Sequence, residues 1–200
     1  QRLGLEICLA AVEDAGYDAQ TIPTQTGVYM GVTAMEYRTL ISSRLTAQMM
    51  ATGAFGDAPE DPTTLANIAN RVLPSRPFTA PGGLSNMIAA TVAQELRIKG
   101  PAYTVDAACA SALVALADAV AALRTGQVDC ALAGGVYICL TPEHHVAFSR
   151  VGAMSRTGQC LPFDSRADGF VEGDGCGVIM LKRVEDAVAA GDRIYGVIAG

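Results

Sequence analysis

The sequence contains no run approaching the roughly 18 consecutive apolar residues of a membrane-spanning helix. Its first residues, GlnArgLeuGlyLeuGluIle, lack the layout of a secretory signal. Cationic side chains are scarce: 14 lysines and arginines stand against 20 acidic residues, a formal net charge of −6. A nucleic-acid surface needs clustered cations, so that class of partner is not expected, and any basic docking patch must be local. None of the six cysteines has a partner at CxxC spacing. Reduced, mostly buried thiols fit this pattern better than a disulfide framework or a zinc site, and no metal is expected. Histidine is limited to the adjacent pair His144 and His145. A soluble cytoplasmic protein, with neither a membrane nor a nucleic acid as partner, is the expectation.

Half of the 200 residues are hydrophobic, enough to bury a real core within one domain or a large part of one. The chain begins at Gln1 without an initiator methionine and ends in the strand-like run IleTyrGlyValIleAlaGly, so it reads as a piece of something longer.

Leu5, Cys8, Leu9 and Val12 share a helical face, with Gly16 as a stop. Thr26 to Val32 has strand character. From Thr33 to Gly83 the pattern loosens around Pro59, Pro62, Pro74, Pro77 and Pro81, as in a lid or peripheral excursion. Leu84 to Leu96 predicts a helix behind a Ser85 cap, with Met87, Ile88, Val92 and Leu96 as its apolar stripe. Val128 to Leu140 reads as a strand buried on both faces. Gly177 to Arg183 and Ile194 to Ala199 read as two more strands around a short Ala-rich helix. Strands alternating with apolar helices imply a layered α/β architecture with a largely parallel sheet.

The segment TyrThrValAspAlaAlaCysAlaSerAlaLeuValAlaLeu, Tyr103 to Leu116, places Cys109 between a strand and a helix. From Ala112 to Leu123 the only charged residue is Asp118, so that helix should be buried between layers. Unpaired N–H groups and the helix dipole would favour a thiolate at its first turn, and later the oxyanion of an attacked thioester. The dipole is worth about 0.3–1 kcal/mol, occasionally about 2, and about 1.4 kcal/mol moves a pKa by one unit, so it lowers a thiol pKa by only about one unit. An efficient enzyme needs a further partner. From position alone, a small buried hydrophobe is as good a reading of Cys109.

Neighbouring side chains on a helix diverge by roughly 100 degrees, so His144 and His145 are not expected to serve one atom. Gly173, Gly175 and Gly177 precede a strand instead of following one, which excludes a dinucleotide loop and suggests close backbone packing. Asp164, Asp168, Glu172 and Asp174 lack the spacing of a calcium loop and read as solvated carboxylates. Met30, Met35, Met49, Met50 and Met87 read as core or lid packing.

ValAspAlaAlaCysAlaSerAlaLeu closely resembles the active-site segment of β-ketoacyl synthases, the condensing enzymes of fatty-acid and polyketide assembly. ValGluAspAlaGly (Val12 to Gly16), ThrGlyValTyrMetGly, AlaLeuAlaGlyGlyVal (Ala131 to Val136), ProPheAspSerArgAlaAspGlyPheValGluGlyAspGlyCysGly (Pro162 to Gly177) and AlaGlyAspArgIleTyr (Ala190 to Tyr195) recur in the order of that family. The resemblance covers essentially residues 1–200, with Thr33 to Gly83 its weakest portion. It implies the thiolase fold, layered α-β-α-β-α and usually homodimeric, of which this chain would be most of the N-terminal half.

It also implies that Cys109 is the nucleophile, accepting an acyl chain from the phosphopantetheine of an acyl carrier protein and condensing it with a decarboxylating malonyl-type extender. The Cys109 backbone N–H would be one oxyanion donor. No cofactor is bound, and carrier protein and other synthase domains are the implied partners. His144 and His145 match neither of the family's catalytic histidines, so this chain alone is expected to be inactive in condensation. Ala107 and Ala110 stand where modular polyketide synthases usually have Thr and Ser, and Asp174 replaces a common Glu. Two other readings are a non-catalytic ketosynthase-like scaffold and a thiolase-type acyl-CoA enzyme.

Overall fold

In the computed structural model, residues 1–33, 36–57, 59–72 and 76–199 are described. The chain divides into two compact units, one formed by Gln1–Met35, Leu84–Val136 and Cys176–Gly200, the other by Glu36–Gly83 and Tyr137–Gly175.

The first unit is built on a four-stranded sheet of order β2-β1-β3-β4, with β1 (Thr26–Gly31), β2 (Ala102–Val105), β3 (Cys130–Tyr137) and β4 (Gly175–Lys182). β1 pairs in parallel with β2, Val28 opposite Ala102, and with β3, Val28 opposite Leu132. Alternation along β1 and β3 sorts their side chains onto two faces. Val28, Met30 and Leu132 pack with Cys8 and Val12 of α1 (Arg2–Asp14) and with Ile88, Ala89 and Val92 of α5 (Met87–Glu95). Tyr29, Ala131 and Ala133 face the other way, against Ala115, Ala119, Ala122 and Leu123 of α6 (Ser111–Arg124). The result is an α-β-α sandwich with both faces of its central strand covered, as parallel sheets require. The crossover from β2 to β3 runs through α6, which packs on β1 and β2. The start of α6 therefore sits at the carboxyl ends of the strands, where open α/β sheets hold their ligands.

Several expectations need correction. α6 buries one stripe of small residues, while Leu113 on its opposite side is 71% exposed. α5 is capped at Asn86, not Ser85, and neither α5 nor α6 has a side-chain cap hydrogen bond. β3 is fully buried only in its first half. Ile194 to Ala199 is not a strand: its pattern suits one, but a strand exists only through a neighbouring ladder, and no described segment supplies it. Gly173, Gly175 and Gly177 have open space where a Cβ would stand. The close approach is made by Gly134, whose Cβ would strike the carbonyl of Gly177 and lie 2.8 Å from Cα of Val178. Only Cys8 and Cys130 are buried; all six cysteines are free, and Cys109 and Cys160 are exposed. Burial pushes the Cys8 thiol up to about 12 and that of Cys130 to about 11. Met30 is in the core, but Met49 and Met50 lie half-exposed on the helix Glu36–Ala51, and Met35 lies outside the described residues.

A half-buried polar cluster closes the sheet's far end. Lys182 Nζ donates to Asp192 at 2.8 Å and to Tyr17 Oη at 3.0 Å, and Tyr17 donates to Asp192 at 3.0 Å. Burial alone would lower the lysine, but the bonds to Asp192 and Tyr17 outweigh it and raise its pKa. The lysine bond likewise holds Asp192 below the usual carboxylate range. A depressed carboxylate stabilises the fold fully above its unfolded pKa and loses that contribution as pH falls through the folded one. Asp192→Asn is therefore expected to cost about 1.5–3 kcal/mol at pH 7. The difference from wild type should shrink below about pH 4. Urea denaturation at both pH values checks this, and a cost that persists unchanged in acid would contradict it.

The second unit is helical: α2 (Glu36–Ala51) packs on α3 (Pro62–Val72) and α4 (Thr79–Gly82), and α7 (Glu143–Arg150) belongs to the same unit. A shallow cleft of about 480 Å³ between α2 and α3 is lined by Gln48, Ala51, Thr52, Pro62, Thr63, Ala66 and Asn67, with no charged, thiol or imidazole group. α8 (Val184–Ala190) follows β4 in the first unit. Among the described residues no helix is long and apolar enough to cross a membrane.

Candidate active site

Cys109 lies two residues before α6, on an elbow between β2 and the helix, with its side chain exposed. The elbow turns at Ala108, whose φ of 51° is left-handed. That conformation costs a residue with a Cβ roughly 1–2 kcal/mol. Local hydrogen bonds oppose the cost. Asp106 Oδ1 accepts the Ala108 amide at 3.0 Å. Ser111 Oγ accepts the Ala107 amide at 2.9 Å and donates to the Ala108 carbonyl at 2.6 Å. Thr33 Oγ1, arriving from the end of β1, donates to the same carbonyl at 2.8 Å and lies 3.0 Å from Ser111 Oγ. At about 1 kcal/mol net for each bond, these exceed the strain. Ser111 is 5% exposed, so its bonds are shielded from water.

Asp106, Ser111 and Thr33 thus position the thiol without being nucleophiles. Thr33 and Ser111 carry no mark in the sequence, because the carbonyl they hold is placed by the turn at Ala108. The AspXxxXxx spacing of an Asx turn was the available signal for Asp106.

The second unit gathers side chains that the sequence left apart. Glu36 opens α2 with its carboxylate 2% exposed, accepting the amides of Leu140 and Thr141, the latter at 2.6 Å. Tyr137 Oη donates to Glu172 Oε1 and lies 2.9 Å from His144 Nδ1. Burial and the carboxylate of Glu172 push the Tyr137 phenol far up, so it stays a donor. His144 Nδ1 is 3.6 Å from Glu36 and 3.7 Å from Glu172, while His145 Nδ1 is 2.9 Å from the other oxygen of Glu172. The two histidines therefore do converge on one carboxylate. Both stand in the first turn of α7 after Pro142, and Glu172 offers each imidazole a separate oxygen.

Of the acidic residues expected to be solvated, Asp168 and Asp174 are exposed, and the Glu172 side chain is the one that is not. Glu172 is 8% exposed, and Asp174 accepts the Cys139 amide at 2.6 Å. Asp168 binds the amides of Arg156 and Thr157 and the hydroxyl of Ser155, which hold it below the usual range. Only Asp164 remains local, paired with Arg166 two positions on.

The family model of the β-ketoacyl synthase N-terminal domain matches residues 1–187. The chain belongs to this family. Polyketide synthase PksN of Bacillus subtilis is 37% identical over the whole chain. The phthioceranic/hydroxyphthioceranic acid synthase of Mycobacterium tuberculosis is 40% identical, likewise over the whole chain. The chain spans 3% of the length of the first and 8% of the second. The ketosynthase from module 6 of the bacillaene synthase of Bacillus subtilis superposes with a TM-score of 0.74 at 35% identity, covering 98% of this chain and 28% of that one. An oxazolomycin ketosynthase domain from Streptomyces albus gives 0.75 at 26% identity, covering 96% and 28%. The architecture is thus part of the thiolase-like layered α/β fold of ketosynthase domains.

Proposed function

We propose that this chain carries the acyl-accepting part of a polyketide-type ketosynthase, with Cys109 as the nucleophile. The observation that carries the reading is the exposed thiol of Cys109 on a hydrogen-bonded, left-handed elbow at the carboxyl end of a parallel sheet. Its thiolate attacks the acyl thioester of a carrier-bound phosphopantetheine. A bond forms between Sγ and the acyl carbon, the bond to the pantetheine sulfur breaks, and the pantetheine thiol takes up a proton. The Cys109 amide, at the positive end of α6, stabilises the oxyanion in this step. Loss of carbon dioxide from a malonyl-type extender then supplies the carbanion that takes the acyl group from Cys109, giving a β-ketoacyl thioester and releasing the thiolate. Carrier protein, other synthase domains, a second copy of the domain and a cytoplasmic location belong to the same reading.

The test is intact-mass and peptide mass spectrometry of the enzyme carrying this chain after incubation with an acyl thioester. One acyl group on Cys109, absent in Cys109→Ala, is the expected outcome. Acylation elsewhere, or none in a folded enzyme, would sink it and favour a scaffold. Malonyl-carrier in place of acetyl-CoA as the productive extender separates this reading from a thiolase.

A further inference from the structure

Cys139 Sγ, His145 Nδ1 and a Glu172 carboxylate oxygen meet in the second unit, all within 4.8 Å of one another. Sγ lies 3.4 Å from Nδ1, and Nδ1 lies 2.9 Å from Glu172 Oε2. That oxygen has no hydrogen-bond partner, although its side chain is 92% buried (8% exposed). The 2.9 Å approach is therefore a close contact without hydrogen-bond geometry. Two atoms placed side by side, neither donating to the other, are what two ligands of one cation look like. An orphaned buried carboxylate oxygen is otherwise costly.

We propose that Cys139, His145 and Glu172 form a binding site for a zinc-type divalent transition ion. Thiolate, imidazole and carboxylate are the donor set of such ions and a poor one for magnesium or calcium. Tetrahedral zinc separates its nitrogen and sulfur donors by about 3.6 Å and nitrogen from oxygen by about 3.4 Å, given the usual bond lengths. The sulfur is already near that spacing, and the carboxylate oxygen must retreat by about half an ångström. The surroundings act as an outer shell. Tyr137 donates to the other oxygen of Glu172, and Asp174 holds the Cys139 amide. His145 is 44% exposed, so the site has an entry path, and three protein ligands leave a fourth position for water or another donor. On binding, the Cys139 thiol gives its proton to the buffer. Paired-cysteine spacing in the sequence does not reveal this set, because no two of its members are the same residue type.

Titration of the reduced full chain with Co(II), followed by competition with Zn(II), tests the site. The expected result is one Co(II) per chain with a sulfur-to-cobalt charge-transfer band that zinc abolishes. Cys139→Ser should remove the band, whereas Cys109→Ser and Cys160→Ser keep it. Glu172→Gln should keep the band but weaken Co(II) binding more than about 100-fold, beyond the about 10–100-fold typical of an outer-shell change. This second variant decides the matter if Cys139→Ser fails to fold by circular dichroism. No bound Co(II) at millimolar metal, a band that survives in Cys139→Ser, or wild-type affinity in Glu172→Gln would each overturn the proposal.

Discussion

Gly31→Ala is expected to destabilise the first unit by at least about 3 kcal/mol, the upper end of the overpacking range. It should also slow acylation of Cys109 by about 100-fold or more, the scale set by a 1 Å misplacement of a reacting group. A Cβ on Gly31 would stand 2.5 Å from the carbonyl carbon of Ser111 and 2.7 Å from Cα of Ala112. These are backbone atoms of the first turn of α6, so no side-chain rotation relieves the clash, and the helix start must shift. Replacing glycine gains only about 0.4–1 kcal/mol by narrowing the unfolded ensemble, too little to offset that. Denaturant unfolding and the rate of acyl transfer to the enzyme give the two readouts. Gly177→Ala is the control, since its Cβ meets open space and its effect should stay within about 0.5 kcal/mol. If Gly31→Ala matched that control, the elbow would not be set by the contact of β1 with α6.

Glu36→Ala is expected to cost about 2–5 kcal/mol by removing the buried acceptor of two backbone amides, those of Leu140 and Thr141. An unpaired buried donor costs about 1–3 kcal/mol, and these part-buried amides fall toward the lower end of that range. The carboxylate also lies 3.4 Å from Tyr137 Oη, whose proton goes to Glu172, and faces His144, so the loss extends to the surroundings of the phenol that orients Glu172. Glu36→Gln retains one acceptor oxygen and turns an NH2 toward the remaining amide, so it should recover part of the loss and no more. A denaturant midpoint for each variant decides the order. Equal stability of Glu36→Ala and wild type would show that water can replace the carboxylate at Leu140 and Thr141.

What the sequence made legible was what short-range pattern determines. β1, β2, β4, α1 and α6 fall where alternation, helical spacing and glycine stops place them, because each pattern is completed within its own element. The placement of Cys109 between strand and helix was legible for the same reason, being marked by β2 before it and the alanine-rich α6 after it. Glu172 was not. Its local neighbours are glycine, acidic and apolar residues typical of a solvated loop, and its burial comes from Tyr137 and two imidazoles brought by the fold. Glu36 is harder still, since the amide it holds lies 104 positions later. The glycines show the same limit. Gly173, Gly175 and Gly177 are clustered in the sequence yet have room for a Cβ, whereas Gly31, Gly100, Gly134 and Gly169 are closed off by the backbone of other segments.

The underside of α6 carries one more consequence. The residues it lays on the sheet are Ser111, Ala115, Ala119 and Ala122, with Leu123 at its end. Alanine has no side-chain torsion to freeze and none to fluctuate. The floor beneath Cys109 thus has little rotamer exchange, and thermal repacking below has few ways to reach the thiol above. Positional steadiness at Cys109 is written into the composition of the helix itself, ahead of any substrate.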